Sequence, residues 1–183
     1  MPVAASFRCQ DMFDNMHANY AGELGTSASP KLTARLKESD LLIVVGSRLG
    51  EMTTGGYSLV SLPVPQQKLV HVYMDAAELG RVYEPDVAIV ASMESFAGAA
   101  KDMEATSPDS RTEWVREANQ DYIDNLKPTL EMNGVDMHAV MDVLNEKLPA
   151  NAIITNDAGN FSGWAQRFYR YRKFRSQLGP TSG

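Results

Sequence analysis

Three short segments of this chain combine residue types that could hold a ligand. Gly46-Ser47-Arg48 leaves an apolar run, and its small residues would let a ligand approach the backbone. Arg48 could pair with a phosphate, or it could lie in a structural salt bridge. Asp75 ends a second apolar run. An acid there could accept hydrogen bonds from a ribose, or it could cap the segment it opens. Asp75-Ala76-Ala77-Glu78 has the spacing of a capping box, which favours the cap. Asp157-Ala158-Gly159-Asn160-Phe161 leaves a third run. Gly159 permits close backbone approach, and the residues after it could offer N–H groups to an anion.

Other chemistries find little support. There is no G-x-G-x-x-G, so the dinucleotide fingerprint is absent. His17, His71 and His138 are scattered without metal-ligand spacing. No G-x-S-x-G marks a serine nucleophile. The single cysteine, Cys9, has only His17 near it in sequence and reads as a small half-buried thiol. The run Arg167 to Arg175 alternates basic and aromatic residues. It invites a nucleic-acid reading, but it is short and attached to an acidic body, so it reads better as an interface or surface segment.

The elements that must position these turns follow from apolar patterning. Val3-Ala4-Ala5 reads as a strand, and residues 8–29 as loop. Ser29-Pro30 opens a helix to about Glu38, with Leu32 and Leu36 inward. Leu41 to Val45 is apolar at every position, which predicts a strand buried on both faces. Leu69 to Met74 and Val87 to Val90 are the next strands, with a short helix expected at Asp75. Ser92 caps a helix that sets Met93, Phe96, Ala97, Ala100 and Met103 on one face. Residues 105–110 read as a linker. Two helices follow, one with Trp114, Ala118, Tyr122 and Leu126, the other capped by Asp136 and stopped by Pro149. Residues 152–155 form a last strand. Strands alternating with helices predict an α/β fold with a Rossmann-like, doubly wound parallel sheet. In such sheets ligands bind beyond the carboxyl ends of strands, where the three turns lie.

Of the 183 residues, 44% are hydrophobic and 22% charged, a globular composition. The net charge is −6; the five cations after Asp157 leave −11 on the first 157 residues. That body would repel nucleic acid and anionic membrane. With one cysteine and no basic, apolar leader, a cytoplasmic location is expected. No apolar run reaches the length of a membrane span.

Two stretches go beyond general pattern. Asp40-Leu-Leu-Ile-Val-Val-Gly-Ser-Arg-Leu-Gly50, followed by Leu69-Val-His-Val-Tyr-Met-Asp75-Ala-Ala-Glu-Leu-Gly80 and Val87-Ala-Ile-Val90, resembles the central domain of thiamine-diphosphate-dependent enzymes. There an apolar strand ends in Gly-x-Arg and a later strand ends in Asp. Ile153-Ile-Thr-Asn-Asp157-Ala-Gly159-Asn-Phe-Ser-Gly-Trp164 resembles the opening of the cofactor-binding domain of acetolactate synthases. The resemblance covers nearly the whole chain.

It implies a central Rossmann-like domain over 1–105, a helical linker over 106–150, and the first strand and helix of a second α/β domain over 151–183. It implies thiamine diphosphate and Mg²⁺ as cofactors, a 2-oxo acid as substrate, and a homodimer or homotetramer. Gly159, Asn160 and Phe161 would lie near the diphosphate. Gly46, Ser47, Arg48 and Asp75 would line the crevice that holds FAD or ADP in relatives. Leu49-Gly50-Glu51-Met52 replaces the family's aromatic residue and Asp-Asp-Arg, which speaks against FAD and against the specific acetolactate reaction. The glutamate that activates the aminopyrimidine and the Mg²⁺-binding motif fall outside the matched stretches. The chain is therefore expected to be a fragment, inactive alone, lacking a central sheet strand and carrying an exposed apolar seam. The competing expectations are a stand-alone ADP- or FAD-binding module and a non-catalytic interaction protein.

Overall fold

The structure is a computed structural model that describes residues 1–104, 109–128 and 134–180, without the side chains of 109 and 110. Residues 105–108, most of the expected linker at 105–110, lie outside the described residues. The chain forms two compact units. One comprises Met1–Leu32 with Arg111–Gly183, the other Thr33–Ser110.

The second unit holds a parallel three-stranded sheet of β3 (Leu41–Val45), β4 (Lys68–Tyr73) and β5 (Val87–Val90), in that order. Its register pairs Ile43 with Val70 and Val72 with Ile89. Central β4 is the buried strand: Leu69 and Val72 are inaccessible and His71 is 2% exposed. Tyr83, Leu49, Leu59, Val60 and Thr54 are also buried.

The expectation that β3 is buried on both faces is not met, and β5, which also reads as a buried strand, has no buried residue. Leu41 and Ile43 are each 39% exposed, and Val90 is 60% exposed. Leu41 and Ile43 are two apart and so share a face. An all-apolar strand signals a surface suited to double cover, but it cannot say whether cover is supplied. Helix α2 (Met93–Lys101) is capped as expected, Ser92 Oγ accepting from Ser95 N at 3.1 Å. Its apolar stripe, however, contributes no buried residue.

In the first unit, β1 (Val3–Ala5) pairs in parallel with β2 (Tyr20–Glu23). All four residues of β2 are buried, although residues 8–29 read as loop. Gly22, at φ +114°, interrupts the strand's apolar signal. Helix α1 (Pro30–Glu38), of which only residues 30–32 belong to this unit, has the expected bounds, and Leu32 is buried. Helix α3 (Asp109–Asn125) buries Ala118 and Tyr122 from the expected stripe. Tyr20 meets Tyr122 edge-on at 4.8 Å. Helix α4 (Met137–Lys147) is capped by Asp136, whose Oδ1 accepts from Ala139 N at 3.1 Å. A short parallel pair, β6 (Ile154–Thr155) and β7 (Gln177–Leu178), flanks α5 (Ser162–Phe168). Met141, Ala165, Phe168, Tyr169 and Tyr171 form the core there.

Buried polar groups tie this unit across long sequence distances. Asn15 Nδ2 donates to Gln10 O at 2.9 Å and Phe13 O at 2.8 Å, and its Oδ1 accepts from Tyr171 N at 2.9 Å. Asp11 Oδ2 accepts from Ser176 N at 3.0 Å. Such contacts satisfy backbone groups that the two short sheets leave unpaired.

Candidate functional site

Two glycine turns at strand ends carry the residues singled out in the sequence, one in each unit. The first lies at the carboxyl edge of the three-stranded sheet. Gly46 follows β3, and its N–H donates to Val72 O at 2.9 Å, extending the ladder by one bond. Its φ is +72°, a left-handed conformation that favours glycine. A Cβ built there would sit 2.2 Å from Met93 Sδ. The glycine therefore admits α2 as well as the turn, and the space over its Cα holds a thioether.

Ser47 is committed locally. Its Oγ accepts from Leu49 N at 3.3 Å, and its carbonyl accepts from His71 Nε2 at 2.8 Å. That bond places a proton on Nε2, and the buried Nδ1 has no partner. His71 was legible only as a polar residue inside an apolar strand, with no sign that it orients the neighbouring turn. Arg48 is exposed, and among the described residues no carboxylate pairs with it. The guanidinium is thus presented outward at the strand end.

Asp75 lies beyond the end of neighbouring β4, so the parallel pairing brings it to the same sheet edge as Gly46, Ser47 and Arg48. The short helix expected at Asp75 is a turn. Asp75 Oδ1 accepts from Ala77 N at 2.9 Å, and its carbonyl from Glu78 N at 3.2 Å. Glu78 does not complete the capping box; its carboxylate pairs with Arg81 at 2.7 Å. Gly80, at φ +80°, then turns the chain before a helix can propagate.

The second turn follows β6 in the other unit. Asp157 Oδ1 accepts from Ala158 N at 2.7 Å. Gly159 has φ +142°, and a Cβ there would meet the Phe161 ring at 2.8 Å. The N–H groups of Ser162, Gly163 and Trp164 donate back to the carbonyls of Gly159, Asn160 and Phe161 at 3.0, 3.2 and 3.1 Å. The tight turn thus spends the donors of the α5 entrance, and the expected row of N–H groups for an anion is shorter than the sequence suggested. Asn160 is exposed, and 55% of Phe161 is exposed.

Asn160 also lines an open cleft of about 750 Å³, with Trp164, Arg167, Phe168 and His138. Two of those side chains are occupied. Arg167 Nε donates to Asn125 O at 2.9 Å, and His138 Nε2 to Leu126 O at 3.0 Å, together satisfying carbonyls at the end of α3. The basic-aromatic run is accordingly structural in part, with Phe168, Tyr169 and Tyr171 buried. Among the described residues no group of three or more His, Cys, Asp or Glu side chains could hold a metal ion. None of the described helices is long and apolar enough to cross a membrane.

A parallel α/β fold with small-residue turns at strand ends is a class of architecture in which ligands bind beyond the carboxyl ends of the strands. Comparison with known proteins narrows the class. The family described as "Thiamine pyrophosphate enzyme, central domain" matches residues 1–99, and the chain belongs to it. It is 28% identical to the acetolactate synthase large subunit of Corynebacterium glutamicum, over 97% of this chain and 29% of that protein. It is 26% identical to the acetolactate synthase isozyme 1 large subunit of Escherichia coli, over 100% and 32%. A chloroplastic acetolactate synthase of Nicotiana tabacum is 26% identical, over 100% and 27%. The chain spans about a third of the length of these relatives.

Proposed function

We propose that these residues form the central domain and the opening of the cofactor-binding domain of a thiamine-diphosphate-dependent enzyme. The enzyme would decarboxylate a 2-oxo acid and ligate or release the product. The central domain would occupy 1–105, a helical linker 106–150, and the cofactor-binding part 151–183. The observation that carries this reading is the family match over residues 1–99, with likeness to acetolactate synthases over nearly the whole chain.

Thiamine diphosphate supplies the carbanion chemistry when bound; the protein binds and orients it. The described residues fit one end of that group. The exposed Asn160 amide could donate to a phosphate at this turn, while the Phe161 ring, 2.8 Å from where a Gly159 Cβ would sit, occupies the space over the glycine. They do not supply a donor set for Mg²⁺, so no step is assigned through the metal. Gly46, Ser47, Arg48 and Asp75 would form a nucleotide crevice, with Arg48 toward a phosphate and Asp75 toward a ribose. Met93 over Gly46 narrows that crevice, which favours ADP over the bulkier FAD.

These residues by themselves would provide scaffold and part of the diphosphate site without turnover. Calorimetry of the chain with thiamine diphosphate and Mg²⁺ tests this, with no tight binding and no consumption of pyruvate expected. Micromolar affinity accompanied by turnover would overturn it.

A further inference from the structure

Glu23 ends β2 with 6% of its surface exposed, and neither carboxyl oxygen has a hydrogen-bond partner. Buried carboxyls without partners are costly, so one in a folded core calls for an explanation. Glu23 lines a small, partly open space of about 20 Å³ within the first unit. That is room for one water molecule.

Gln166, on α5 and 5% exposed, also lines this space. Its Oε1 accepts from Thr26 Oγ1 at 3.1 Å, while its Nε2 is buried without a partner. Glu23 and Gln166 thus bring a carboxyl without partners and an unused amide donor to the lining of one small space. A molecule that both donates and accepts satisfies both. Water does so. A metal cation or an ammonium group cannot accept from Nε2, and Arg167 is among the lining residues, so a further cation is disfavoured.

We propose that this cavity is a binding site for one water molecule and one proton, the proton residing on Glu23 and the water accepting from Gln166 Nε2 and from the carboxyl O–H while donating to a neighbouring oxygen of the lining. The inference does not depend on the thiamine-diphosphate reading. Burial holds the Glu23 carboxyl up, to about 7; the Ser27 amide faces it and pulls the other way without reaching hydrogen-bond geometry. The other titratable groups facing the cavity are Tyr20 on β2, Tyr122 on α3, and Arg167 and Tyr169 at α5. Burial raises all three tyrosines, so they stay neutral through this range. Glu23 is then the group that titrates near neutrality, and its proton links β2 to the helix that follows the Gly159 turn.

The sign follows from linkage. Glu23 keeps its proton in the fold up to about pH 7, whereas the unfolded chain releases it near 4.5. Stability from this group is therefore full below the unfolded value and is lost as pH rises toward 7. Thermal unfolding of the wild type and Glu23→Gln between about pH 5 and about pH 8 tests the proton. The wild-type midpoint should fall relative to the variant by roughly 5 °C or more across that range, and the Glu23→Gln profile should be flatter. Parallel profiles would overturn the proposal. Infrared spectra of the wild type read the same proton without a variant: the protonated-carboxyl stretch near pH 6 must be lost near pH 8, in about that window, and must be missing from Glu23→Gln. A crystal structure should show one density peak within hydrogen-bond distance of both Glu23 and Gln166. An empty cavity, or stabilisation by potassium chloride over choline chloride at equal ionic strength, would sink it.

Discussion

Tyr20 and Val90 both sit on parallel strands, yet 2% of Tyr20 is exposed and 60% of Val90. The strands differ in opposite directions from what their sequences announce. β2 reads Tyr-Ala-Gly-Glu, with a glycine and an acid, and every residue of it is buried. β5 reads Val-Ala-Ile-Val, and no residue of it is buried. The difference lies in what else each unit contributes. Around β2, the Tyr122 ring of α3 packs on Tyr20 with Phe13 and Leu126, and polar ties join neighbouring residues 10 and 15 to 166 and 171. Around β3 and β5, the described residues leave broad apolar surface uncovered. Burial is a property of the neighbours a strand finds, and composition reports only what it could tolerate.

The largest expected effect strikes the polar ties. Asn15 is 3% exposed and serves three backbone groups. Asn15→Ala strands the Tyr171 amide and the Gln10 and Phe13 carbonyls, and should cost about 3 kcal/mol. Urea denaturation measures the loss. Hydrogen exchange should localise it to residues 1–32 and 111–180, with the β4 amides still protected. Uniform loss of protection would erase the contrast between the units.

The second effect belongs to the sheet unit. Gly46→Ala places a side chain at φ +72° and against Met93. Backbone strain costs about 1–2 kcal/mol, and a steric cost adds to it because Met93 Cγ as well as Sδ must move. The double variant with Met93→Ala should recover only the steric part. Full recovery would mean that crowding alone requires the glycine. Loss of the Asp136 cap comes next. Asp136→Ala leaves the Ala139 amide without its acceptor and should lower stability by about 1 kcal/mol, read from the same denaturation curves.

Much of this architecture was legible in the sequence, for definable reasons. The caps at Ser92 and Asp136, the bounds of α1 and the positions of β3, β4 and β5 follow from local chemistry, and they were found. The family resemblance rested on those strands and their endings, and the match over residues 1–99 shows it. What escaped depends on distant partners. β2 was hidden because its burial comes from Tyr122, some hundred residues away. β7 is two residues long and exists through pairing with β6. The helix expected at Asp75 failed because Glu78 found Arg81 instead of the Asp75 amide. At the candidate site the sequence supplied residue types and strand ends. It could not show that Met93 fills the space over Gly46, or that His71 holds the Ser47 carbonyl.

The smallest expected effect probes the uncovered strands. Val90→Thr keeps the branched shape that suits a strand and removes apolar surface that is mostly in water already. Its cost in the isolated chain should stay under about 0.5 kcal/mol. The consequence should be colloidal: an exposed apolar strand in a sheet with open edges promotes association, and a hydroxyl weakens that tendency. Light scattering at increasing concentration should show later onset of aggregation for Val90→Thr, with the denaturation midpoint nearly unchanged. A loss of 2 kcal/mol or more, on the scale expected for buried core positions, would mean that Val90 is covered in solution. The contrast between β2 and β5 would then belong to their composition alone.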